Sequence, residues 1–139
     1  MSKILARSAA RLLVLGATSV AAASAQAAPP PDMSGAGLFA QNCSACHQLT
    51  GRGIPGAFPA LAGDVFPQGP PEPVVKLLLN GRGGMPSFRA DLDDRQIAAV
   101  LTYVRGAWGN HAPKIEPTLV AKVRGSQAQD RAAQALQAH

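Results

Sequence analysis

The chain contains two cysteines, three residues apart, with a histidine directly behind the second: Cys43-Ser44-Ala45-Cys46-His47. Residues three apart share one face of a helical turn, so two thiols and an imidazole at this spacing converge on one object. Three chemistries use such a group. The thiols can be linked to the two vinyl groups of one haem while the histidine ligates its iron, which is the c-type attachment pattern. They can cycle as a thiol–disulfide pair, as in a thioredoxin motif. They can also contribute to a zinc tetrahedron, which needs one more protein ligand. No alternation of strand and helix surrounds the motif, and the remaining histidines, His111 and His139, lie in unpatterned stretches. The haem pattern uses all three residues and needs no help from either of those histidines.

An iron held by His47 has a second face, for which the candidates are the other histidines and the methionines. Met1 belongs to a leader-like segment, and Met33 stands at the ragged N-terminus of the mature chain. Met85 stands in Asn80-Gly81-Arg82-Gly83-Gly84-Met85-Pro86-Ser87-Phe88, where three glycines permit close backbone approach to a flat ligand and Pro86 stiffens the turn. A lone methionine is commonly a core filler. The glycine run, the adjacent proline and the upstream Cys-x-x-Cys-His favour a ligand here. His/Met ligation leaves no open position on iron and raises its potential, which suits electron transfer rather than oxygen chemistry. Without the Met85 bond the same haem would be open to gases, and a gas-binding sensor is the competing expectation.

Another pattern is misleading. Gly51-Arg52-Gly53-Ile54-Pro55-Gly56 matches the dinucleotide fingerprint letter for letter, yet it follows no strand, carries Pro55 near its end and is trailed by Phe58-Pro59, so it reads as a loop. No phosphate-binding loop, paired catalytic carboxylates or Ser-His-Asp pattern is present, and the chain is not expected to be an enzyme by itself.

The elements that must position these residues are helical. A first helix is expected to begin between Asp32 and Gly35 and to run through Phe39 to Cys46. A Gly/Pro-rich loop follows to Pro73. A short apolar helix then spans Val74 to Leu79, stopped by Asn80-Gly81. The clearest helix starts at Asp93, whose capping box with Gln96 is joined by a hydrophobic staple of Leu92 on Ile97. Ile97, Val100, Leu101, Val104 and Trp108 form its buried stripe, with Gly106 and Gly109-Asn110 marking its end. Trp108 reads as packing for the helix end, with an electron conduit as the alternative. Leu119 to Val123 offers one or two further turns. Residues 126–139, with four Gln and five Ala, are expected to be a mobile or weakly helical tail.

Composition sets the outer bounds. Residues 1–27 combine Lys3, Arg7 and Arg11 with an apolar run from Leu12 to Ala23 and small residues to Ala27, a secretory signal pattern too short to span a bilayer comfortably. No cysteine stands near the cleavage zone to carry a lipid. The remaining chain, without an internal repeat, is one domain, expected over residues 28–125, in the periplasm and without a membrane span. Its charge falls from +5 for the whole sequence to 10 basic against 8 acidic residues. With only 4% aromatic residues and no basic cluster, nucleic acid is not an expected partner.

Together these residues resemble the class I cytochrome c family over residues 34–110, and within it the small bacterial mono-haem cytochromes and the cytochrome subunits of periplasmic dehydrogenases. The resemblance implies an all-α fold of helices packed around one covalently bound haem c, and transfer of single electrons between protein partners such as a dehydrogenase, oxidase or reductase. It implies Cys43 and Cys46 as thioether attachments and His47 and Met85 as iron ligands. Gly35 and Phe39 resemble the N-terminal-helix glycine and aromatic, and Val100 with Tyr103 the pair on the helix that crosses it. Pro59-Ala60-Leu61-Ala62-Gly63 resembles the loop whose proline carbonyl accepts the axial histidine's proton-bearing nitrogen, with Leu61 against the haem. The stretch from Tyr103 to Asn110 is similar to endings in cytochrome partners of alcohol and aldehyde dehydrogenases and in cytochrome domains attached to nitrite reductases. Arg52 and Arg82 are candidate propionate donors, and Arg82 with Arg89 could steer an acidic partner. The alternative to a free shuttle is a subunit held in a dehydrogenase or reductase complex.

Overall fold

The computed structural model describes residues 32–137, so the signal expected over residues 1–27 lies outside the described residues, as does His139. Among the described residues six helices follow one another: α1 (Gly35–Asn42), α2 (Ser44–His47), α3 (Val65–Gln68), α4 (Pro71–Asn80), α5 (Asp94–Gly106) and α6 (Pro117–Gln137). Among the described residues, strand-like pairing is limited to two isolated bridges, Ile54 with Phe58 and Arg82 with Met85. The architecture is all-α, as expected.

The main crossing is α1 on α5. Ser34 caps α1 by accepting from the Gly37 amide at 3.1 Å. At the crossing, a Cβ on Gly35 would run into the Ala99 carbonyl oxygen and stand 2.9 Å from the Tyr103 Cβ, so only hydrogen fits there. Behind it, Leu38 and Phe39 are buried against the α5 stripe of Ile97, Val100, Leu101 and Val104. The Asp93–Gln96 capping box that starts α5 is complete, with both bonds at 2.8 Å. Leu92 and Ile97 of the staple are both buried. Replacing Gly35 with valine is expected to cost about 3 kcal/mol, because overpacking a backbone-to-backbone crossing leaves no flexible neighbour to yield. A fall in the urea midpoint with an unchanged slope would register it, and an unchanged midpoint would contradict the crossing.

In three places the chain departs from the sequence expectation. The first helix does not run unbroken to Cys46: Cys43, at φ −123°, separates α1 from the single turn of α2. Trp108 does not extend the α5 stripe, because the helix ends at Gly106 and Trp108 takes a left-handed φ of 54°. Its ring nevertheless packs on the helices, 5.0 Å from Phe39 and 5.4 Å from Tyr103, in edge-on contacts. This is the packing role expected of it.

The third departure is α6: Leu119 to Val123 were expected to make one or two turns and residues 126–139 a mobile or weakly helical tail, and one helix runs through both to Gln137. Pro117 opens it, and its first half buries Val120 and Val123 against α4 and α5. Arg124 fastens it further, with Nε on Asp94 at 2.7 Å and Nη1 and Nη2 on the Arg89 and Leu92 carbonyls. Gly125, the expected boundary between domain and tail, falls inside the helix. A glycine there costs about 1 kcal/mol of helix propensity, which these flanking contacts outweigh. From Ala128 to Gln137 every side chain is exposed. Arg105 also carries more structure than its position at a helix end suggested. It is 2% exposed, and its guanidinium donates to the carbonyls of Pro67, Gly69 and Pro113 at 2.6–2.9 Å.

Candidate functional site

The Cys-x-x-Cys-His segment winds around one carbonyl. The Cys43 oxygen accepts from the amides of both Cys46, at 3.2 Å, and His47, at 2.9 Å, so the motif is a single tight turn. Gln48 then leaves it in a left-handed conformation, φ 61°. Both thiols are free and half-buried, and Cys43 packs against the core. Burial, and after it the neighbouring Cys46, pushes the Cys43 thiol up to about 11. At neutral pH this thiol is protonated.

His47 is half-buried, and its Nδ1 lies 2.9 Å from the Pro59 carbonyl oxygen. That pairing makes Nδ1 the proton-bearing nitrogen and leaves the lone pair of Nε2 available to a ligand. Pro59 reaches this place because the loop folds back on itself. Gly53 donates its amide to the His47 carbonyl at 2.9 Å, and a side chain on Gly53 would collide with the carbonyls of Phe58 and Pro59. The Gly51 carbonyl then accepts from Leu61 at 2.7 Å and from Ala62 at 3.0 Å. The false dinucleotide fingerprint is therefore the hinge of this loop.

Met85 lies in the turn that follows α4. Its amide and carbonyl pair reciprocally with those of Arg82, each at 3.1 Å, closing a four-residue turn over Gly83 and Gly84. A Cβ on Gly81 would strike the Met85 carbonyl oxygen, so this glycine serves the turn itself. The chain beyond is fastened to α4 by Ser87 Oγ on the Leu79 carbonyl and the Phe88 amide on that of Leu78, at 2.6 and 3.0 Å. Three of the residues singled out from the sequence, Cys43, Leu61 and Met85, are half-buried side chains against the same core. The alternative ligands are less favourably placed: Met33 is 50% exposed ahead of α1, and His111 is exposed beyond α5.

The donor set fits a haem. Two free thiols and a histidine with Nδ1 engaged and Nε2 available come from one turn, a thioether comes from a second, braced turn, and Cys43 and Met85 pack against the same core. The loop beside them and α3 also leave Ile54, Phe58 and Phe66 between 36% and 39% exposed, apolar surface of the kind a planar macrocycle covers. Arg52 and Arg82 are exposed, with the Arg82 guanidinium 5.5 Å from the centre of the Phe66 ring. Arg89 is not a free surface charge. It is half-buried and held by Asn80 and Gln127. The residue that sequence reasoning treated only as a helix stop is Asn110, which is fully buried and bonded to partners up to 49 residues away; no local pattern signals it.

A family profile described as cytochrome C oxidase, cbb3-type, subunit III matches residues 30–104. Cytochrome c-552 of Thermus thermophilus is 44% identical over 92 residues, covering 55% of this chain and 69% of that protein. Cytochrome c6 of Leptolyngbya boryana is 38% identical over 72 residues, covering 50% of this chain and 85% of that one. The gluconate 2-dehydrogenase cytochrome c subunit of Pantoea cypripedii is 32% identical over 116 residues, covering 74% of this chain but only 26% of the subunit.

Proposed function

The chain belongs to the cytochrome c family, electron-transfer proteins that carry covalently attached haem c, and from that premise we propose that it is a mono-haem shuttle passing single electrons between periplasmic proteins. In this reading residues 1–27 are the export signal, 28–125 the cytochrome domain and 126–139 an appendage to it. Cys43 and Cys46 would hold the haem through thioethers, and His47 Nε2 and the Met85 thioether would bind its iron. When bound, the haem iron supplies the one-electron couple. The protein's part is to hold these ligands still in both oxidation states.

The observation that carries the reading is the 2.9 Å contact between His47 Nδ1 and the Pro59 carbonyl. A hydrogen bond from the far nitrogen fixes the tautomer and orientation of a ligating imidazole and strengthens it as a donor. Leu61, two residues on, packs against the core and helps to exclude water. The chain is an electron-transfer protein and not an enzyme by itself. No described helix is long and apolar enough to cross a membrane. Redox proteins are its partners in general; a periplasmic dehydrogenase, oxidase or reductase is the proposed kind.

The visible spectrum of the reduced protein, recorded with and without carbon monoxide, tests this. A c-type spectrum indifferent to carbon monoxide is expected. A large change on adding the gas would overturn the His47/Met85 assignment in favour of an open, gas-binding iron. The second reading, a subunit fixed in a dehydrogenase complex, is favoured by the match of 74% of the chain to a dehydrogenase cytochrome subunit. Purification at high salt separates the two, since a shuttle comes away alone and a fixed subunit brings its complex.

A further inference from the structure

Two side chains from the segment leaving α5 reach back to the loop behind His47. Asn110 is fully buried, and both polar atoms of its amide are bonded. Nδ2 donates to the Leu61 carbonyl at 3.0 Å and to the Val104 carbonyl at 2.8 Å, while Oδ1 accepts from the Gly63 amide at 2.9 Å. Trp108 donates from Nε1 to the Leu49 carbonyl at 3.1 Å. Its indole also lies flush on Gly51, where a φ of 67° and the lack of room for a Cβ both require glycine.

These contacts close on one turn. Gly51, beneath the indole, accepts the amides of Leu61 and Ala62, the same turn that Asn110 holds from its other side through Leu61 and Gly63. Pro59 is two residues before Leu61, and its backbone already rests against Gly53. The carbonyl that receives His47 Nδ1 therefore stands on a loop whose two ends are clipped to the end of α5, one by each side chain. Val104, the remaining partner of Asn110, belongs to the buried stripe of α5, which ties the clip to the rigid core.

We propose that Asn110 and Trp108 are positioning residues for His47: by clamping the 49–63 loop to α5 they set where the Pro59 carbonyl stands, and through it the orientation and donor strength of the imidazole. The proposal rests on His47 being an iron ligand. It explains why an amide is buried at residue 110. Alanine would leave the Gly63 N–H without its acceptor and take a donor from the Leu61 and Val104 carbonyls, and aspartate would face a carboxylate oxygen toward those carbonyls.

The test is the exchange of the His47 Nδ1 proton with deuterium in the reduced holoprotein, followed by NMR. Asn110→Ala is expected to speed this exchange on the order of tenfold, as release of one buried hydrogen bond would. Trp108→Phe keeps a ring over Gly51 and removes only the bond to Leu49, and it is expected to speed exchange roughly threefold even if Asn110→Ala does not accumulate. Val123→Ala, which loosens α6 away from the loop, serves as the structural control: it lowers the thermal midpoint and leaves the exchange unchanged. Exchange unaltered in both loop variants, or accelerated equally in Val123→Ala, would overturn the clamp. His47 ring signals in the oxidised protein that lack the large shifts of an iron ligand would instead overturn the ligand assignment, and the clamp with it.

Discussion

Replacing Met85 with alanine is expected to make the reduced protein bind carbon monoxide and to lower its reduction potential by on the order of 0.1 V or more, within the range over which axial ligands tune haem iron. The variant isolates the ligand because the turn presenting it is held by backbone atoms: the reciprocal Arg82–Met85 pairing does not depend on the thioether. The side chain is only half-buried, so its removal is expected to cost about 1–2 kcal/mol of packing, at or below the low end for a buried methionine. The fold should survive to be measured. An unchanged potential and continued indifference to carbon monoxide would show that another group ligates the iron, and would return attention to Met33 and His111.

Replacing Cys43 with serine is expected to remove nearly all holoprotein with two thioether links when the protein is made in a host that attaches haem c. Serine matches the cysteine in shape at the α1–α2 junction but cannot form the link. The fold around it has little reason to change, since the bonds that wind the motif run to the Cys43 carbonyl and not to its sulfur. Mass spectrometry distinguishes the outcomes, because a covalently attached haem adds its mass to the denatured chain. Normal yields of a two-link product would contradict the attachment assignment.

Much of the fold is legible in the sequence because its signals are local. The α5 capping box needs an acceptor and a glutamine three residues apart, and Asp93 and Gln96 provide both in the structure. Gly35 reads as the residue that allows a close crossing, and a Cβ there would collide with Ala99 and Tyr103. The Pro59 acceptor is implied by resemblance, and the structure places its carbonyl 2.9 Å from His47 Nδ1. The departures share a cause. Cys43 is expected inside a continuous helix because residues before and after it favour one, and backbone geometry at a single residue leaves no trace in composition. Residues 126–137 have weak periodicity of their own, and only the anchoring of the preceding turns by Val120, Val123 and Arg124 makes them the continuation of a helix.

By itself the sequence determined the chemistry on offer: two thiols and an imidazole on one turn, a braced methionine downstream, and helix-forming patterns to carry them. Those depend on residue types at fixed short spacings, which the chain cannot rearrange. Only the tertiary structure decided how the carriers are held. Asn110 bonds to residues 47 and 49 positions away, Trp108 to one 59 away, and Arg105 to residues 36 and 38 away. Such partners are chosen by how the helices pack, because a buried polar group takes whichever backbone group the packing brings within reach, and nothing in its local sequence names that group.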